Sequence, residues 1–222
     1  MSEPLRRAPE GCAPDVDCVL CPRLSEYRAK NSRAAPDWHN APVPSFGALH
    51  SRLLVVGLAP GVKGANRTGR PFTGDYAGDL LYETLIEFGF ATGTYRADPA
   101  DGLALSDCMI TNAVRCVPPE NKPTPAEINQ CRPFLAATIA AMPQLKAVLV
   151  LGRIAHDSTL RALGRKLSGH AFSHGARHDV GAGLTLFDSY HCSRYNTNTG
   201  RLTPTMFKAV FEDVHGLLAS RR

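Results

Sequence analysis

Residues 52–61 read Arg52-Leu53-Leu54-Val55-Val56-Gly57-Leu58-Ala59-Pro60-Gly61, a short apolar run stopped by glycine. Four consecutive apolar residues without alternation describe a strand covered on both faces, as parallel strands in α/β proteins are. Three later runs share this texture: Cys108 to Ala113, Ala147 to Leu151 closed by Gly152, and Leu184 to Tyr190. Helical patterns long enough for crossovers separate them. Leu80, Leu81, Thr84, Leu85 and Phe88 recur at helical spacing ahead of Gly89. Thr124-Pro125-Ala126-Glu127 is a capping box with proline at the first helical position. Arg153 to Leu163 supplies a third helix, and Thr203-Pro204 opens a last one with Phe207, Val210, Phe211, Val214, Leu217 and Leu218 on one face. The alternation predicts an α/β fold, a four-stranded parallel sheet flanked by helices on both faces. Ligands then bind in the loops at the carboxyl ends of the strands.

With 222 residues, 44% of them hydrophobic, the chain has material for one core, and a single domain over residues 1–222 is expected. Residues 1–17 read as an irregular arm, and the Pro-, Arg- and Ala-rich texture persists to residue 50. No run reaches the roughly 18–20 apolar residues of a membrane span, and the start lacks the apolar centre of a secretory signal. A cytoplasmic monomer without membrane contact is expected. Twenty-five Lys and Arg against twenty Asp and Glu leave a net charge of +5, which favours polyanions without demanding them. Seven cysteines argue against a disulfide framework and for metal binding or a reactive thiol.

Cys18-Val19-Leu20-Cys21 is a CxxC pair, and Cys116 and Cys131 bracket a fourteen-residue insertion. Together they supply four thiolates, a donor set suited to zinc or to an iron-sulfur cluster. The second pair is too widely spaced for an ordinary zinc ribbon, which favours a cluster, but spacing does not separate the two. Cys108 reads as strand packing, and Cys12 as a neighbour of the CxxC outside the ligand set.

The segment Lys63 to Asp75 is Gly-rich and basic, ends at a helix start, and matches neither a Walker A loop nor a GxGxxG fingerprint. Phe72, between Pro71 and Thr73, is expected to be exposed and free to stack on a base. Asp75 has an equally good reading as the N-cap of the helix from Tyr76 to Phe88.

GLAPG (57–61), NRTGRPFTGD (66–75), TNAVRC (111–116) with Cys131, and HCSRYNTNTGRLT (191–203) occur in the order found in the uracil-DNA glycosylase superfamily. The chain most resembles the iron-sulfur type-five (B-type) enzymes, over about residues 18–218. The resemblance implies a 4Fe-4S cluster on Cys18, Cys21, Cys116 and Cys131. It implies hydrolysis of the N-glycosidic bond of uracil, and of other deaminated bases such as hypoxanthine, in DNA. Such an enzyme must flip the nucleotide into a pocket. Phe72 would stack on the base, Asn112 would read its Watson–Crick edge, and His191 would donate to O2 of the departing uracil. The first motif, Ala59-Pro60-Gly61, offers only backbone where other branches carry a polar side chain; Asp75 is the substitute, acting on water or as a countercharge. Lys63, Asn66, Arg67, Arg194, Tyr195, Asn196 and Arg201 are the expected DNA contacts. Cys192 stands where many relatives carry proline. A metal-stabilised nucleic-acid-binding module without catalysis is the competing reading.

Overall fold

The computed structural model describes residues 11–220; the first ten positions of the arm expected over 1–17 lie outside the described residues. Irregular turns lead into helix α1 (Pro22–Ala34), followed by β1 (Phe46–Gly47), β2 (Leu53–Gly57), α2 (Ala65–Thr68) and α3 (Tyr76–Glu87). A two-stranded ribbon, β3 (Ala91–Thr92) with β4 (Ala104–Leu105), precedes β5 (Cys108–Asn112), α4 (Pro125–Ala140), β6 (Ala147–Leu151) and α5 (Arg153–Ala162). The chain closes with β7 (Arg177–Asp179), β8 (Thr185–Ser189), α6 (Arg194–Asn198) and α7 (Pro204–Ser220).

The main sheet runs β1-β5-β2-β6-β8-β7. Its inner four strands are parallel, and β1 and β7 pair antiparallel at the edges. The sheet is therefore mixed and six-stranded, a correction to the four-stranded parallel sheet expected. The edge strands have two and three residues, too few to print a period in sequence. Every residue of the four inner strands is buried, which explains their unbroken apolar runs. Leu53, Val55, Ile110, Leu149 and Phe187 pack with α3 and α7 on one face. Leu54, Val56, Met109, Val148 and Leu186 pack with α4 and α5 on the other. The capping box of α4 is formed, with Thr124 and Glu127 satisfying each other's backbone N–H groups.

Helix also forms in two stretches where the sequence prints no helical period. In α1 only Leu24 and Arg28 are buried, so no apolar stripe marks it. The segment after residue 193 winds into α6, whose cap is the Ser193 hydroxyl accepting from the Asn196 N–H at 3.4 Å. Among the described residues no helix is long and apolar enough to cross a membrane.

Candidate active site

Three strand ends and one loop meet at a cleft of about 470 Å³, within the size range of small-ligand sites. Gly57 closes β2 directly opposite Asn112, which closes β5. A Cβ at position 57 would strike both the Asn112 amide oxygen and the Phe72 ring, so glycine lets these two groups come together. Asn112 is buried, yet its side-chain amide has no protein hydrogen-bond partner among the described residues. It is a donor and an acceptor held in reserve.

Asp75 occupies the N-cap position of α3 but makes no side-chain capping bond. Its carboxylate instead lies against the backbone of Gly61 and Ala65, whose N–H groups favour its charged form. A Cβ on either Gly61 or Gly64 would collide with that carboxylate; the glycines of the first motif and its sequel are the cradle of the acid. Burial pushes the Asp75 carboxyl above its usual range, against the pull of those N–H groups and of the Arg67 guanidinium.

His191 follows β8, two residues beyond Ser189. Its ring stacks on Phe72 with centroids 5.9 Å apart and planes at 28°. Burial holds the imidazole down to about 4, so it is neutral at neutral pH and offers one N–H. Behind it, Asp188 of β8 binds His156 Nδ1 at 2.7 Å and His178 Nε2 at 3.0 Å, fastening α5 and β7 to the strand that carries the site.

Phe72 corrects the sequence expectation. It is 6% exposed, not free in solvent, and has φ +57°. The turn is clamped: the Gly74 N–H donates to Tyr95 Oη, and that hydroxyl donates to the Phe72 carbonyl, each at 3.2 Å. Beneath it, Arg70 binds Asp101 through two 2.8 Å bonds and lies over the Tyr82 and Tyr95 rings. A strained, non-glycine residue locked on all sides is a feature of ligand-holding turns.

Phe72, Asp75, Asn112, His191, Ala59, Arg194 and Tyr195 all line this cleft. Tyr195 is 71% exposed at its mouth, and Arg194 lies over the Tyr76 ring. Lys63 and Arg67 are exposed and joined by a 2.8 Å bond from Arg67 Nε to the Lys63 carbonyl. Arg201 is exposed over the Tyr190 ring. Asn66 is a correction: it has no exposed surface, and its amide donates to Asn40, so contact with DNA is closed to it. The Asn196 amide is spent on the His191 carbonyl at 2.8 Å, a bond that orients the histidine segment. Sequence reading missed Asn121, which lies in the insertion between Cys116 and Cys131 and lines the same cleft. Asn121 and its neighbour Glu120 both have positive φ, a pairing that only the folded loop discloses.

The four expected metal ligands also converge. Cys18, Cys21, Cys116 and Cys131 line one small pocket, whereas Cys12 lies elsewhere with its carbonyl tied to Thr138. Ala59 packs against this cysteine cluster and lines the cleft, so the two sites share a wall. Arg23 of α1 binds Glu127 of α4 through two 2.7 Å bonds, clasping the helices that bear Cys21's turn and Cys131.

A profile described as the uracil DNA glycosylase superfamily matches residues 44–215. The chain belongs to the uracil-DNA glycosylase superfamily. A type-5 uracil-DNA glycosylase of Thermus thermophilus is 43% identical over 206 residues, covering 90% of this chain and 93% of that protein. Another, of Mycobacterium bovis, is 42% identical and covers 90% and 78%. A third, of Pyrobaculum aerophilum, is 41% identical and covers 85% and 83%. The superfamily match takes in every cleft residue named above, and Cys18 and Cys21 fall before it.

Proposed function

We propose that this chain is a monofunctional uracil-DNA glycosylase of the type-5 kind, a hydrolase that removes uracil from DNA and leaves an abasic site. It acts as a single-domain cytoplasmic monomer. The observation that carries the reading is one cleft that holds an aromatic face, an unengaged amide, a cradled carboxylate and a neutral imidazole.

The flipped uracil stacks on Phe72, and the Asn112 amide oxygen accepts from N3–H while its NH2 donates to O4. As the C1′–N1 bond breaks, its electron pair passes to the base. The negative charge gathers on O2, where the His191 N–H donates; a neutral donor avoids handing its proton over early. Asp75 accepts a proton from the water whose oxygen bonds to C1′, and its raised pKa suits it to that task. Because Ala59 brings no polar side chain into the cleft, base size is policed loosely, which supports acceptance of hypoxanthine and related deaminated bases. Lys63, Arg67, Arg194 and Arg201 supply exposed positive charge for phosphates, and Tyr195 is free to enter the space the base vacates.

Cys18, Cys21, Cys116 and Cys131 are proposed to hold a 4Fe-4S cluster. The donor set is four thiols, and the Arg115 N–H already donates to Cys131 Sγ at 3.3 Å. Burial pushes Cys21 up to about 11 and Cys116 up to about 12, so loading the site releases protons. A single zinc ion would draw its sulfurs to about 3.8 Å from one another, given Zn–S bonds of about 2.3 Å. Among the described residues the one trio of metal-capable atoms within 4.8 Å contains no cysteine, which supports the wider cluster. When bound, the cluster cross-links the segment before α1, the loop after β5 and α4.

The test is incubation with a labelled oligonucleotide carrying a single uracil, then alkali. Strand scission at uracil is expected, with scission at hypoxanthine in a parallel substrate; binding without scission would favour the non-catalytic module. Cys131→Ser should lose iron, bleach the visible absorbance and lower the melting temperature. Full iron content in that variant would remove Cys131 from the ligand set.

A further inference from the structure

Two of the most deeply buried cations in the fold have no acid beside them. Arg28 of α1 is 6% exposed and Arg115, after β5, is 1% exposed. Arg115 gives Nη1 to Ser45 Oγ at 2.8 Å and Nη2 to Thr138 Oγ1 at 3.0 Å and the Cys12 carbonyl at 3.3 Å. Arg28 gives Nη1 to the Val16 carbonyl at 3.1 Å and Nη2 to the Cys18 carbonyl. All of these acceptors are neutral. Neither arginine joins an ion pair among the described residues. Each also keeps a buried Nε–H with no hydrogen-bond partner. Arg70 provides the contrast within the same chain: it too is 6% exposed, and a bidentate carboxylate from Asp101 answers its charge.

An unanswered buried guanidinium is strongly unfavourable, so the countercharge must lie nearby. Thiols lie in electrostatic reach of both: Cys131 and Cys12 for Arg115, and Cys116 and Cys21 for Arg28, and the Arg115 backbone N–H donates to Cys131 Sγ while Arg28 holds the Cys18 carbonyl. Three of these four are the cluster ligands proposed above. We propose that Arg28 and Arg115 are the built-in counter-ions of the cysteine centre, so that the fold is charge-balanced only when four thiolates and their cluster are in place. This rests on the cluster reading. Two fixed cations beside a net-negative centre also favour the addition of an electron, because net charge is one of the levers that set a cluster's potential.

The test uses holoprotein prepared without oxygen: wild type, Arg28→Gln, Arg28→Lys, Arg115→Gln, and Lys30→Gln as an exposed charge control on α1. Iron and sulfide per chain are measured first, then the midpoint potential against dithionite and mediators. At a fixed potential, Arg28→Gln is expected to hold about tenfold less reduced cluster than wild type, equal to 59 mV for one electron. Arg28→Lys restores most of the shift, and Lys30→Gln shows little. Arg28→Gln and Arg115→Gln should also bleach faster with a chelator. Iron-loaded Arg28→Gln with an unmoved potential overturns the counter-ion role alone, as does equal loss in the Lys and Gln variants. Wild type without iron overturns the cluster reading and the counter-ion role together. Should Arg115→Gln fail to accumulate, the Arg28 series decides.

Discussion

Asp75→Asn should lower uracil excision by about 10²–10⁴-fold, the range that positioned general acids and bases command, with DNA binding retained. The substitution is close to isosteric and fits the space left by Gly61 and Gly64, so the loop has reason to stay in place. What is lost is the charge. The pH profile supplies the sign: Asp75 must be ionised to accept a proton, so wild-type activity should fall as pH drops through its raised pKa. In Asp75→Asn that acid limb should vanish along with most of the rate. His191 adds no limb near the ordinary histidine value, because burial holds it at about 4. His191→Ala should cost about 10²–10³-fold, as removal of a single oxyanion donor does. The double variant should lose less than the product of the two, since both act on one transition state. An Asp75→Asn enzyme that keeps wild-type rates would move the water to another group, and Asn121 is the polar cleft residue to examine next.

The parts of this molecule that can be read in its sequence are those fixed by local chemistry. The four inner strands announce themselves because both faces are buried, and the Thr124–Glu127 box because both partners lie within one turn. The four cysteines are legible from type and spacing, Asn112 and His191 from their places at and just past strand ends, and Asp75 through the family resemblance, because its local sequence reads equally well as a helix cap. Tertiary distance hides the rest. Asn66 reads as surface in a basic loop, and its burial depends on Asn40, twenty-six positions earlier. Asn121 sits among prolines and charges, and only the folding of the insertion between two ligands carries it to the cleft. Helix α1 lacks an apolar stripe because most of its residues face solvent. The turn at Phe72 has the same lesson on a smaller scale: Pro71 and Thr73 suggest an exposed loop, whereas the Tyr95 hydroxyl and positive φ rotate the ring inward.

That inward turn changes what Phe72→Ala should do. A ring on the surface would cost activity and little stability. A ring that is buried, stacked on His191 and packed into the core beneath α3 must cost both. Truncating a buried phenylalanine removes about 3–5 kcal/mol, which for a chain of this size lowers the melting temperature by roughly 6–20 °C. Phe72→Leu separates the two roles. Leucine refills most of the volume, for a cost of about 1.5 kcal/mol or less if the site repacks, but it has no aromatic face to offer a base. Stacking worth about 1–3 kcal/mol then predicts a loss of about 5–150-fold in kcat/KM for uracil at near-native stability. Wild-type excision by Phe72→Leu would show that the base gains nothing from the ring. Unfolding as severe as that of the alanine variant would make Phe72 a packing residue that happens to border the cleft.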